Sequence, residues 1–151
     1  MSHDARLAEL KINLPEALAP VANYVPYQIS GNHLFISGQI SNGPDGLIRG
    51  KLGADMDVAA GAAAARSCGL ALLAQARAAL GSLDKVARVV KLTAFVNSTP
   101  DFGDQPEVVN GCSDLMVEVF GDAGRHARAA VSAPALPRGV AVEIEAIFEV
   151  A

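Results

Sequence analysis

The run DVAAGAAAARSCGLALLAQARAAL, residues 57 to 80, limits what this chain can fold into more than any other stretch. Its residues are mostly strong helix formers, Gly81 stands where a C-terminal stop is needed, and Asp55 or Asp57 is placed to cap the start. Gly61, Gly69 and the many alanines predict close packing against a sheet. A phosphate loop is the poorer reading, because neither a Gly-rich turn nor a lysine precedes the helix. The chain has 151 residues, 51% of them hydrophobic and only 5% aromatic, which fits one compact domain with a full core.

The remaining segments alternate around that helix. DARLAELK, residues 4 to 11, predicts a short helix with Leu7 and Leu10 on one face, before Pro15 and Pro20 impose an extended lead-in. We place an N-terminal arm at residues 1–20 and the domain at residues 21–151. YVPYQIS and HLFISGQI read as strands joined by a short turn, SNGPDG as the next turn, and LIRGKLG as a weak strand. VARVVKLTAFV, residues 86 to 96, has the β-branched content of a central strand. Val108, Cys112, Leu115 and Val119 recur at helical spacing, which predicts a second long helix over residues 105 to 120, with Asp104 and Glu107 as a capping box and Gly121 as a stop. ARAAVSA and GVAVEIEAIFEV close the chain as strands.

This order predicts an α+β fold, a single mixed sheet with both long helices on one face. Alternation along the last strand puts Val140, Val142, Ile144, Ala146, Phe148 and Val150 on one side, and Glu143, Glu145, Ile147 and Glu149 on the other. A second sheet face that is partly apolar and has no helices of its own predicts association of identical subunits.

Charge and cysteine usage narrow the function. A net charge of −4 and the absence of Lys or Arg clusters beside aromatics argue against nucleic acid as a partner. Cys68 and Cys112 fall inside helices without metal-ligand spacing to His3, His33 or His126, so reduced core thiols and no metal are expected. The charged opening MSHDARLAEL is unlike a signal peptide, and no uninterrupted apolar span reaches membrane length; a cytoplasmic protein without membrane contact is expected.

Arg128 lies in a run that otherwise reads as buried strand, and a buried charge needs a partner or a ligand. Taken alone, it reads first as an ion-pair partner of Glu143 or Glu145. Ala127, Arg128 and Val131, then Leu136 and Pro137, then Val142, Glu143, Ile144 and Glu145 form an ordered string. With SGQI at residues 37 to 40 and KLTAFV at 91 to 96, that string resembles the YjgF/RidA family, also called the L-PSP or reactive intermediate deaminase family. The resemblance covers nearly all of the chain after about residue 20.

The resemblance implies a fold similar to a small trimeric chorismate mutase, a six-stranded sheet backed by two helices. It also implies a homotrimer with ligand sites in the clefts between subunits. Members with this arginine hydrolyse 2-imino acids or their enamine tautomers to 2-oxo acids and ammonia, without a cofactor. By the same resemblance Arg128 grips the substrate carboxylate and Glu143 positions or activates water. Gly38 and the backbone of Ala130 supply main-chain contacts, Tyr27 borders the cleft, and Asn110 matches a family asparagine. Ala130 stands where deaminase members often have cysteine, and NSTPDFGDQPEVVNG, residues 97 to 111, is longer than the usual connection. His126 and Arg125 lie beside the signature and are left outside the site. Three functions stay open: imine hydrolysis, non-catalytic binding of a small carboxylate, and RNA cleavage, the last opposed by the acidic charge.

Overall fold

A computed structural model describes residues 2–19 and 22–151. The proposed boundary between arm and domain, at Pro20 and Val21, lies outside the described residues. The elements are α1 (His3–Glu9), β1 (Tyr27–Ser30), β2 (His33–Ile40), β3 (Asn42–Gly43), β4 (Gly46–Leu47), α2 (Val58–Leu80), β5 (Val86–Asn97), α3 (Gln105–Phe120), β6 (Ala127–Ala133) and β7 (Val142–Val150).

The main sheet runs β1-β2-β7-β5-β6. Its β5–β6 pair is parallel, with α3 as the crossover, and its other pairs are antiparallel. The fold is therefore α+β with a mixed sheet. Leu34 and Ile36 of β2, Leu92, Ala94 and Val96 of β5, and Val142, Ile144, Ala146 and Phe148 of β7 are buried in one core with the inner sides of α2 and α3. The alternation expected for the last strand is present: Val140 to Phe148 are buried at every second position, while Glu145 is exposed and Glu143, Ile147 and Glu149 are half-buried. The far face presents Phe35 and Val131, 43% and 46% exposed, so the face without helices is apolar as well as open.

Three details differ from the sequence expectation. The main sheet has five strands rather than six. SNGPDG and the residues after it close a separate two-stranded hairpin, β3–β4, and beyond it the chain meets the sheet region only at isolated bridges such as Arg49 with Val140 and Leu52 with Ser98. Gly50, at a φ of 155°, and Gly53, at 87°, take the backbone of this segment out of regular strand geometry. The glycines of α2 pack against α3 rather than the sheet. A Cβ on Gly69 would lie 2.8 Å from Leu115 Cδ2 and 3.1 Å from Cys112 Sγ, and one on Gly111 of α3 would strike the backbone of Ala62. Finally, α3 has no capping box. Asp104 makes no side-chain cap hydrogen bond; Pro106 removes one donor from the first turn, and Gln105 Nε2 instead donates to Phe102 O at 2.8 Å.

Other local features follow the sequence closely. Asp57 caps α2 by accepting from the Ala60 N–H at 2.8 Å, and Gly81 ends it at a φ of 84°. Among the described residues α2 is the one helix long and apolar enough to cross a membrane, once Arg66 and Arg77 are tolerated; here its inner side is core. The N-terminal segment is fastened at both ends. Leu7 of α1 is in the core, Arg6 Nε donates to Glu118 O at 2.9 Å, and Gln75 Nε2 of α2 donates to Leu18 O at 2.8 Å.

Candidate functional site

Two polar groups of different character sit on the sheet. Arg128 is on the edge strand β6, paired with Leu92, and its side chain rises on the helix side to the start of α3. Nη1 donates to Asn110 Oδ1 at 2.9 Å and to Ser113 Oγ at 3.1 Å, and Nη2 donates to Pro106 O at 3.3 Å. All three acceptors are neutral, and among the described residues no carboxylate lies within ion-pair distance of Arg128. The guanidinium borders an open depression of about 250 Å³ with Asn110, Ser113, Asp114, Arg125 and His126.

Ser113 and His126 were not anticipated as neighbours of Arg128. Ser113 Oγ is 2.8 Å from His126 Nε2, and His126 Nδ1 is 2.6 Å from the Gly124 carbonyl. A carbonyl only accepts, so Nδ1 carries a proton in either charge state of the ring. The sequence held a weak signal: Ser113 follows Asn110 by three residues, which puts both on one helix face.

Glu143 occupies the opposite face. It pairs with Ile40 of β2 and Phe95 of β5, both on the open side. No side-chain hydrogen bond reaches its carboxylate from the described residues, and burial first, then the neighbouring Glu145 charge, raise its pKa above the ordinary 4.5. Gly38 sits at a register shift in β2, between Ile36 and Gln39, and a Cβ there would run into Glu143 Oε2. Glycine is thus what leaves room at this carboxylate. Gly38 also lines a mostly apolar cavity of about 330 Å³ under the N-terminal segment, with Leu18, Tyr24, Ile40, Leu47 and Ala71.

The sequence-selected residues therefore fall into separate groups. Arg128 and Asn110 are in contact, and Ala130 follows two positions along the same edge strand. Gly38 and Glu143 are in contact on the other side. Tyr27 pairs with buried Ile36 and packs on the core from the far edge strand β1. Four strand spacings separate β1 from β6, about 19 Å. The ion pair between Arg128 and Glu143 or Glu145 is absent within the chain, because β6 and β7 flank β5 and the side chains point to opposite faces. Among the described residues, no three His, Cys, Asp or Glu side chains converge as a metal site.

A family model described as "YjgF/chorismate mutase-like, putative endoribonuclease" matches residues 4–148. The chain belongs to this YjgF/chorismate mutase-like family. It is 52% identical over 147 residues to Protein TCP17 of Trypanosoma cruzi, covering 96% of this chain and 92% of that one. A Shewanella oneidensis structure, named a putative endoribonuclease, superposes with a TM-score of 0.94 at 34% identity, covering 99% of each chain. RidA from an Antarctic Psychrobacter superposes with a TM-score of 0.61 at 30% identity over 89% of this chain and 94% of that one. The family match begins within α1, so most of the N-terminal helix lies inside the segment that this YjgF-like chain matches.

Proposed function

We propose that the protein is a cytoplasmic imine and enamine deaminase that acts as a homotrimer without a cofactor. Each site would take Arg128, Asn110 and the Ala130 backbone from one copy and Glu143, Gly38 and Tyr27 from the next. In this reading residues 21–151 carry the site and residues 1–20 form the arm, of which Arg6 bonds α3 and Leu18 bonds α2. The observation that carries it is the placement of Arg128 and Glu143 on opposite faces of one sheet, each without a charged partner of opposite sign among the described residues. A cation and an anion held apart in one copy can flank one ligand from two sides across a cyclic interface, and the apolar open face supplies the surface for it.

The chemistry follows from the two groups. The Arg128 guanidinium binds the carboxylate of a 2-imino acid through charge-assisted hydrogen bonds. Glu143 accepts a proton from water as that water adds to the imine carbon; its raised pKa makes it a better base than an exposed glutamate. Glu143 returns that proton to the nitrogen to give the carbinolamine; as this collapses, its hydroxyl proton also passes to nitrogen, the C–N bond breaks, ammonia leaves, and the carbon becomes the 2-oxo group. The acidic net charge of −4 favours a small anion over RNA only through this local cation, since the chain as a whole repels polyanions. Ala130 leaves a second reading, a trimer that binds a small carboxylate without turnover, and ammonia release from freshly generated 2-imino acids separates the two.

Complementation tests the shared site. Arg128→Ala and Glu143→Gln should each be nearly inactive, whereas trimers mixed at random from the two should regain activity at about a quarter of their sites, because one interface in four then pairs an intact Arg128 with an intact Glu143. Mixed trimers no more active than the separate variants would rule out a site divided between copies.

A further inference from the structure

We propose that Ser113 and His126 belong to the anion site at Arg128, and that binding of a carboxylate there is coupled to protonation of His126. The inference rests on the reading of Arg128 as a carboxylate anchor and adds residues that this reading does not use.

The hydrogen-bond directions carry it. With Nδ1 donating to Gly124 O, the neutral ring offers only a lone pair at Nε2, so Ser113 must donate its single hydroxyl proton to His126. Ser113 Oγ then accepts from Arg128 Nη1 and has no proton left for a ligand. When His126 is protonated, Nε2 becomes a donor. Ser113 Oγ accepts from both Nε2 and Nη1, its two acceptor positions are filled, and its hydroxyl proton is released toward the depression. One proton on His126 thus adds a hydrogen-bond donor and a positive charge next to the guanidinium, and both favour a bound carboxylate.

The surrounding charges are mixed, so no single one sets the sign. Arg128 of β6 and Arg125 face the ring's side of the depression, and Asp114 of α3 lines the same depression. Asp122 is 3.4 Å from Arg125, whereas Lys91 of β5, paired with Ala127, lies on the opposite face of the sheet from Arg128. A bound carboxylate would supply the anion that none of these brings against Arg128.

Linkage makes the test reciprocal: if protonation tightens binding, binding must raise the affinity of His126 for its proton. Calorimetric titration with 2-oxobutyrate, which stays ionised throughout, is run on the Glu143→Gln protein to remove the other shifted carboxylate. Affinity should rise about tenfold from about pH 8 to about pH 5.5, with about half a proton taken up on binding near the middle of that range. Adding His126→Gln should flatten this profile, and Ser113→Ala should reduce its slope. Nitrogen-detected NMR on the unsubstituted protein should show the His126 midpoint moving upward on addition of 2-oxobutyrate. A profile already flat in the Glu143→Gln protein, a slope that survives His126→Gln, or an unmoved midpoint overturns the proposal. Arg128→Ala separates the two levels of inference. Loss of binding with a flat parental profile defeats only the coupling, whereas unchanged binding, or no binding by the parent at any pH, defeats the carboxylate reading and the coupling with it.

Discussion

Arg128 and Glu143 occupy the same sheet, but their surroundings differ. Arg128 donates to three acceptors, all of them neutral: an amide oxygen, a hydroxyl and a carbonyl, which leaves the rest of its guanidinium donors for a ligand. It is held in place with its charge uncompensated. Glu143 has the reverse condition, a half-buried carboxylate with no hydrogen bond from the described residues, an adjacent glycine in place of a side chain, and a pKa pushed upward by burial and by Glu145. The first is a pre-oriented binder, because its geometry is fixed before any anion arrives. The second is a destabilised anion, closer to accepting a proton than an ordinary glutamate. A structural ion pair would have neutralised both, and within this chain the strand order keeps them apart.

The largest effect is expected from breaking the binder. Arg128→Ala should lower kcat/KM for 2-imino acids by at least about a hundredfold, since a charge-assisted contact is worth roughly 1.5–3 kcal/mol and misorientation adds to its loss. Arg128→Lys should recover little, because a lysine cannot reach Asn110, Ser113 and Pro106 with one planar group. Thermal stability should change little in either variant, as the acceptors border an open depression and can turn to water. Unfolding or loss of assembly in Arg128→Ala would show the arginine to be structural. A smaller effect is expected at the second region. Gly38→Ala would press a methyl group against the Glu143 carboxylate, so kcat should fall by about tenfold while the fold holds, and steady-state kinetics with an unchanged kcat would show that the space beside Glu143 is not used.

Much of this contrast was legible in the chain. Alternation in VEIEAIFEV put Glu143 on the open face, because period-2 patterning reports directly on burial. The long helices and their stops at Gly81 and Gly121 followed from propensity and spacing. Which face Arg128 uses was not legible: the strand ARAAVSA has small residues on both sides, so its pattern has no parity to read. Nor did closeness in sequence show that β6 and β7 would flank β5, which depends on pairing over the whole sheet. The packing partner of Gly61 and Gly69 was misread for a related reason. Small residues mark a close approach but do not say whether a sheet or a second helix makes it, and here Gly111 of α3 supplies the matching gap. Asp104 failed as a cap because residue type at the right spacing does not fix the backbone, and its ψ of 30° departs from the extended geometry that a capping residue normally adopts.

The smallest effect is also the one whose sign discriminates most. Burial, and then Glu145, place the Glu143 pKa in the folded protein above the ordinary 4.5 that the unfolded chain keeps. The folded state therefore binds this proton more tightly than the unfolded state. Ionised Glu143 opposes folding at pH values above its folded pKa, and the opposition fades as pH falls and is gone below about 4.5. Glu143→Gln removes the charge and keeps the shape. It should raise Tm by about 1–3 °C at pH 7 to 8, a small shift because a half-exposed carboxylate is screened by solvent, and by nothing near pH 4. If the arginine of another copy neutralised Glu143 in the resting assembly, the substitution would strand that arginine and lower Tm at neutral pH instead. Scanning calorimetry of both proteins across this range therefore distinguishes a carboxylate kept free for chemistry from one consumed in an interface ion pair.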